Sequence, residues 1–88
     1  MLDTYFNNAR KGEVYPNPAN ERFSITIPAY FDKTDIDIFS LDNQVVYQEQ
    51  ALESNIQIVD TSNWEEGVYF VVVCDGSRIV RHKVLVRK

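Results

Sequence analysis

Eighty-eight residues form one domain, and a chain this short buries only about 60–65% of the surface its unfolded form exposes, which allows one modest core and excludes a deep catalytic cleft. With 44% hydrophobic and 12% aromatic residues the composition is that of a folded domain and not a disordered tail. Thirteen acidic against nine basic side chains, a formal net charge of −4, argue against a nucleic-acid ligand, because such domains need a basic surface to displace counterions from phosphates.

Residues 1–13 show neither sustained period 2 nor a helical stripe, and they read as a linker from a preceding domain. Met1 to Gly12 contains no apolar leader, and the longest apolar run, Val68 to Cys74, is too short to insert in a bilayer. An exported form is therefore expected to take its leader from a longer parent chain. Pro16 and Pro18 fix two φ angles and bias Tyr15 and Asn17 toward extended geometry, so Val14 to Asn17 is expected to be a short edge strand or polyproline-like segment ending in a turn. The folded domain is placed at residues 14–88.

Downstream, Phe23, Ile25 and Ile27 alternate with Arg22, Ser24 and Thr26, the pattern of a strand with one buried face, and Pro28 stops it. Ile36 and Ile38 alternate with Asp35, Asp37 and Phe39; Leu41 to Gln44 is a turn by composition, and Val45 to Tyr47 resumes an extended run, so residues 34–50 read as a hairpin. Ile56 and Ile58 mark a further short strand. Asp60 to Glu66 is a polar loop around Trp64, and Gly67 opens Val68 to Cys74, whose β-branched and aromatic residues suit a central strand. Asp75-Gly76 is the strongest hairpin signal and returns the chain through Arg78 to Arg87, where Val80, Val84 and Val86 share one parity and Ile79, Arg81, Lys83 and Arg87 the other. Seven short strands without a helical stripe imply an all-β, immunoglobulin-like antiparallel sandwich lacking the cysteine pair. The expected core includes Phe23, Ile25, Ile27, Ile36, Ile38, Tyr69, Val71, Val84 and Val86.

Chemistry-bearing constellations are sparse. The single histidine, His82, lies between Arg81 and Lys83 with no Gly-x-Ser-x-Gly elbow elsewhere, so nothing resembles a hydrolytic triad. The single cysteine, Cys74, ends an apolar run and reads as an inert thiol. Asp32, Asp35 and Asp37 could offer oxygen ligands to a cation, but their spacing does not match a calcium loop, and a solvated strand face accounts for them better. Trp64, Tyr69, Tyr47 and Tyr30 could form a sugar-stacking platform; core and loop anchors are the alternative. Both parities of Val68 to Cys74 are apolar, so the outer side needs covering, either by a partner or by loops. Five of the nine basic residues, Arg78, Arg81, Lys83, Arg87 and Lys88, fall in the last eleven positions and make a cationic strand on an acidic body.

Three pieces in order, Pro16-Asn17-Pro18, Gly67-Val68-Tyr69 and Lys83-Val84-Leu85-Val86-Arg87-Lys88, together with Ile36-Asp37-Ile38-Phe39-Ser40-Leu41 between them, make residues 14–88 resemble the C-terminal sorting domain of type IX (Por) secretion system cargo. One departure is Asn43, where the family usually has a turn glycine; Asn also adopts positive φ. The resemblance implies a secretion signal and not an enzyme, with no cofactor. In it, Pro16, Asn17, Pro18, Gly67, Tyr69 and Lys83 to Lys88 are the sorting motif, presented to shuttle and translocon proteins, with strand addition at an edge as the natural mode. A sortase-like peptidase would cut the linker, which contains Asn7, Asn8, Ala9, Arg10, Lys11 and Gly12. The cargo would be periplasmic in transit and then reach the outer-membrane surface or the medium of a Gram-negative bacterium. The alternative reading is an immunoglobulin-like accessory or adhesive module, with glycans among its ligands, on a larger secreted enzyme.

Overall fold

The computed structural model describes residues 12–88 and places them in seven strands: β1 Glu13–Tyr15, β2 Arg22–Thr26, β3 Thr34–Ser40, β4 Val45–Leu52, β5 Ile56–Asp60, β6 Gly67–Cys74 and β7 Ile79–Val86. They form two antiparallel sheets, a three-stranded one in the order β1-β2-β5 and a four-stranded one in the order β4-β3-β6-β7. The period-2 segments face each other across a single core. Phe23 and Ile25 of β2 and Val59 of β5 come from one sheet; Ile36, Ile38, Tyr69, Val71, Val73, Val84 and Val86 come from the other. All nine expected core residues are buried, and Ala19, Phe31, Val59 and Val73 join them.

Local chemistry explains the connections. Asn43 takes the turn between β3 and β4 with φ 71°, the conformation that lets it replace glycine. The β6–β7 turn is offset by one residue from the Asp-Gly pair: the Asp75 amide donates to the Arg78 carbonyl, so Gly76 and Ser77 form the tip, with Gly76 at φ 99°. Asp75 Oδ1 accepts from the amides of Ser77 and Arg78 and holds that tip. Burial raises the Asp75 carboxyl, but these two bonds and the Arg78 charge outweigh it, so its pKa lies below the usual value.

Two details depart from the alternation. In β5, Ile56 and Ile58 point outward, Ile58 being 59% exposed, while Gln57 and Val59 point inward. The inward Gln57 is tolerated because its Nε2 donates to the Tyr47 hydroxyl at 2.7 Å. The β3–β4 register shifts between Thr34 and Ile36, and the amide left unpaired by that bulge, Ala51, donates to Asp35 Oδ1 at 2.9 Å. Asp37 Oδ1 accepts from Gln48 Nε2 at 2.8 Å. Asp35 and Asp37 therefore serve the β3–β4 pairing, and among the described residues no three His, Cys, Asp or Glu side chains converge as metal ligands.

Candidate recognition site

Prolines at 16 and 18 remove two backbone donors from the segment that follows β1, so it cannot pair as an ordinary strand. It is held instead by the one side chain between them. Asn17 reaches the outer edge of β7, where its Nδ2 donates to the Lys83 carbonyl at 2.9 Å and its Oδ1 accepts from the Leu85 amide at 2.9 Å. One amide group thus does there what a peptide unit of a neighbouring strand would do. The Tyr15–Pro16 and Asn17–Pro18 bonds are both cis.

Ala19, the first residue after Pro18, continues the pairing with its backbone. Its amide donates to the Leu85 carbonyl at 2.7 Å, and its carbonyl accepts from the Arg87 amide at 2.8 Å, an isolated parallel bridge opposite Val86. Ala19 is buried, so its methyl group fits where a larger side chain would meet the core. Along Lys83 to Arg87 the edge of β7 is accordingly closed by the chain itself. Strand addition by a partner at that stretch is excluded in this state, a correction to the expectation of an open terminal strand.

The Gly67-Val68-Tyr69 piece lies on the other side of the same strand, with Gly67 opposite Val86, Val68 opposite Leu85 and Tyr69 opposite Val84. Tyr69 is buried; its hydroxyl donates to the Glu65 carbonyl at 2.6 Å, and its ring lies 4.7 Å from that of Trp64. Trp64 meets Phe23 edge-on at 6.2 Å, which ties the Asp60–Glu66 loop to the core. Burial and the nearby Glu65 and Asp42 charges push the Tyr69 hydroxyl above its usual pKa, so it stays a neutral donor.

The three sequence pieces therefore converge on one strand. Lys83 to Val86 is flanked by Asn17 and Ala19 on one edge and by Gly67 to Tyr69 on the other. Val84, Val86 and Tyr69 are core residues and build this seam from inside, while Lys83 and Arg87 project outward with Leu85 half-buried between them. Lys88 is not a free surface cation: its Nζ donates to the carbonyls of Thr61 at 2.8 Å and Ser62 at 3.1 Å. Sequence reading missed that anchor, since the 27 positions between Lys88 and Thr61 carry no periodic trace of it.

Of the linker residues 1–13 only Gly12 and Glu13 are described, Glu13 as the first residue of β1; Asn7, Asn8, Ala9, Arg10 and Lys11 lie outside the described residues. Gly12 has φ 73° and lies against β2, where a Cβ would collide with the Thr26 carbonyl. The four aromatic residues weighed as a sugar platform do not assemble. Trp64 and Tyr69 pack at the Gly67 end of β6, Tyr47 bonds Gln57, and Tyr30 meets Phe31 edge-on and lies under the Arg78 guanidinium beside the far hairpin.

A family model described as "Secretion system C-terminal sorting domain" matches residues 13–87. Among curated proteins, the ulvan lyase NLR42 of Nonlabens ulvanivorans is 30% identical over 74 residues, 83% of this chain and 14% of that protein, so the chain spans only a small part of that relative's length.

Proposed function

The chain belongs to the secretion system C-terminal sorting domain family, and on that premise we propose that the seam around β7 is the surface the type IX machinery reads. A domain of this family is the type IX sorting signal, and the cargo that carries it is secreted to the cell surface or the medium. The observation that carries the finer reading is convergence. Three motif pieces spread over the chain meet at Lys83–Arg87, where Asn17 and Ala19 close the edge and Lys83 and Arg87 present charge. With backbone pairing at that edge already taken, a translocon or shuttle protein would recognise shape and side chains there.

Cleavage by a sortase-like peptidase fits the stretch before Gly12. A peptidase needs about eight residues in extended form, free of ladder hydrogen bonds. The contact of Gly12 with Thr26 and the bond from the Glu13 amide to Thr26 Oγ1 support a cut upstream of β1, in the 7–12 region of the linker. The relative's name, an ulvan lyase, supports a large secreted enzyme as the kind of parent cargo.

The test is a fusion of the 88-residue chain behind an exported periplasmic reporter in a type IX-competent strain. The reporter is expected outside the cell there and in the periplasm of a strain lacking the translocon; periplasmic retention in both overturns the sorting role. N-terminal sequencing of the released fragment places the cut, and a new terminus beyond Tyr15 overturns the linker assignment.

A further inference from the structure

The outer face of the four-stranded sheet carries three columns of different chemistry. β3 presents Asp35, Asp37 and Phe39; β6 presents Val68, Phe70, Val72 and Cys74; β7 presents Ile79, Arg81, Lys83 and Leu85. The register sets them in rows. Asp37, Val72 and Arg81 lie side by side, and so do Phe39, Phe70 and Lys83, with Val45 of β4 extending the second row. Phe70, on an inner strand, is 39% exposed, an unusual state for a large aromatic side chain at the middle of a sheet, and Val45 on the edge strand β4 is 51% exposed.

We propose that this face is the interface of a homodimer, in which β6 of one copy lies over β6 of the second about a two-fold axis running along the strand. The charge pattern selects both the partner and the axis. Rotation about β6 preserves the rows and exchanges the outer columns, so Arg81 of each copy faces Asp37 of the other and Lys83 faces the Phe39 ring, while Phe70 and Val72 are covered at the centre. An axis across the strands would set β7 on β7 and β3 on β3, opposing like charges. A face with an acidic column, an apolar column and a basic column is complementary to a second copy of itself without further requirement. The Gln48 contact occupies one oxygen of Asp37 and leaves the other for a guanidinium.

With the axis on β6, three strands of each copy, β3, β6 and β7, overlap and present roughly 350 Å² per copy, or about 700 Å² in all, which belongs to the weakest, concentration-dependent class of interfaces. The pairing covers Lys83, so it would compete with the proposed reading of that side chain by the secretion machinery, but it does not rest on that reading, since a monomer could still be sorted.

Sedimentation equilibrium of the 88-residue chain tests it, over roughly 1 μM to 1 mM, the range of a weak interface. A monomer–dimer equilibrium is expected. Phe70→Ser, Arg81→Glu and Asp37→Arg should each raise the dissociation constant about tenfold or more, and the Asp37→Arg/Arg81→Glu double variant should recover most of the loss. These positions face outward, and an unchanged circular dichroism spectrum confirms folding. A chain monomeric throughout, a dimer indifferent to Phe70→Ser, or a double variant no better than the singles would overturn the proposal.

Discussion

Asn17 and Leu85, 68 positions apart, are joined side chain to backbone: the Leu85 amide donates to Asn17 Oδ1 at 2.9 Å, beside the bond from Asn17 Nδ2 to the Lys83 carbonyl. Asn17→Ala removes both and leaves an amide and a carbonyl on the β7 edge without their partner. It should cost about 1–3 kcal/mol, read as a lower urea midpoint at unchanged slope. Asn17→Asp keeps the acceptor but sets a carboxylate against the Lys83 carbonyl, so at neutral pH it should lose at least as much. A shift below about 0.5 kcal/mol for the alanine variant would show that Ala19 alone holds the edge.

The sheet faces can be told apart by truncation. Ile38 is fully buried, and Ile38→Ala should cost about 2–5 kcal/mol. Ile58 has the same side chain on a strand of the opposite sheet but faces water, so Ile58→Ala should stay within about 0.5 kcal/mol. Equal losses in chemical denaturation would contradict the assigned orientation of β5.

Thr34 is buried at the start of β3, and its hydroxyl has no hydrogen-bond partner among the described residues. Valine has nearly the same shape and nothing to desolvate. Thr34→Val should therefore be neutral or raise stability by about 1 kcal/mol, visible as a higher thermal midpoint. A loss of that size would reveal a partner for the hydroxyl.

Much of this architecture was legible in the sequence because one-sided burial writes period 2 into a strand. Phe23 and Ile25, Ile36 and Ile38, and Val84 and Val86 all showed it, and each pair is buried. In β5 the same reasoning had no purchase: Ile56 and Ile58 occupy one parity and Val59 the other, and only the Gln57–Tyr47 bond, a tertiary fact, settles which faces in. Ala19 and Phe31 sit in irregular segments with no period to read. The three motif pieces were visible as strings, but their meeting was not, because contacts spanning 66 to 68 positions depend on register and sheet order. Lys88 counted as a recognition charge in sequence and is a structural anchor in the fold.

Acid should weaken the two turns held by carboxylates. Donation from the Ser62 amide and hydroxyl, helped by the Lys88 and Arg22 charges, holds the Asp60 pKa below the usual 3.8, and Asp75 is likewise lowered. The unfolded chain then takes up these protons more readily than the folded one. Their contribution is fully present above the unfolded pKa and is lost as pH falls through the lower folded values. Comparing the native chain with Asp60→Asn and Asp75→Asn by denaturation at several pH values should show a gap that narrows below about pH 4. A gap independent of pH would assign the effect to packing instead.

Recognition can be separated from folding at the surface of β7. Lys83→Gln with Arg87→Gln alters outward side chains only, so thermal stability should hold while export of a fused reporter falls and translocon binding loses its salt dependence. Unchanged export would mean that shape alone is read. Deleting Val84 to Lys88 cannot serve this purpose, because it removes two core valines and the partners of Ala19 and should unfold the domain outright.

A label assembled from distant parts of a chain also certifies the condition of what bears it. The letters of Asn17, Tyr69 and Leu85 survive denaturation unchanged, but the surface they compose does not, so on the proposed reading a misfolded tail would carry the full text and remain illegible. Stability is then a routing parameter. A loss of one or two kcal/mol multiplies the unfolded population by about 5–30, and the share of undeliverable cargo rises with it.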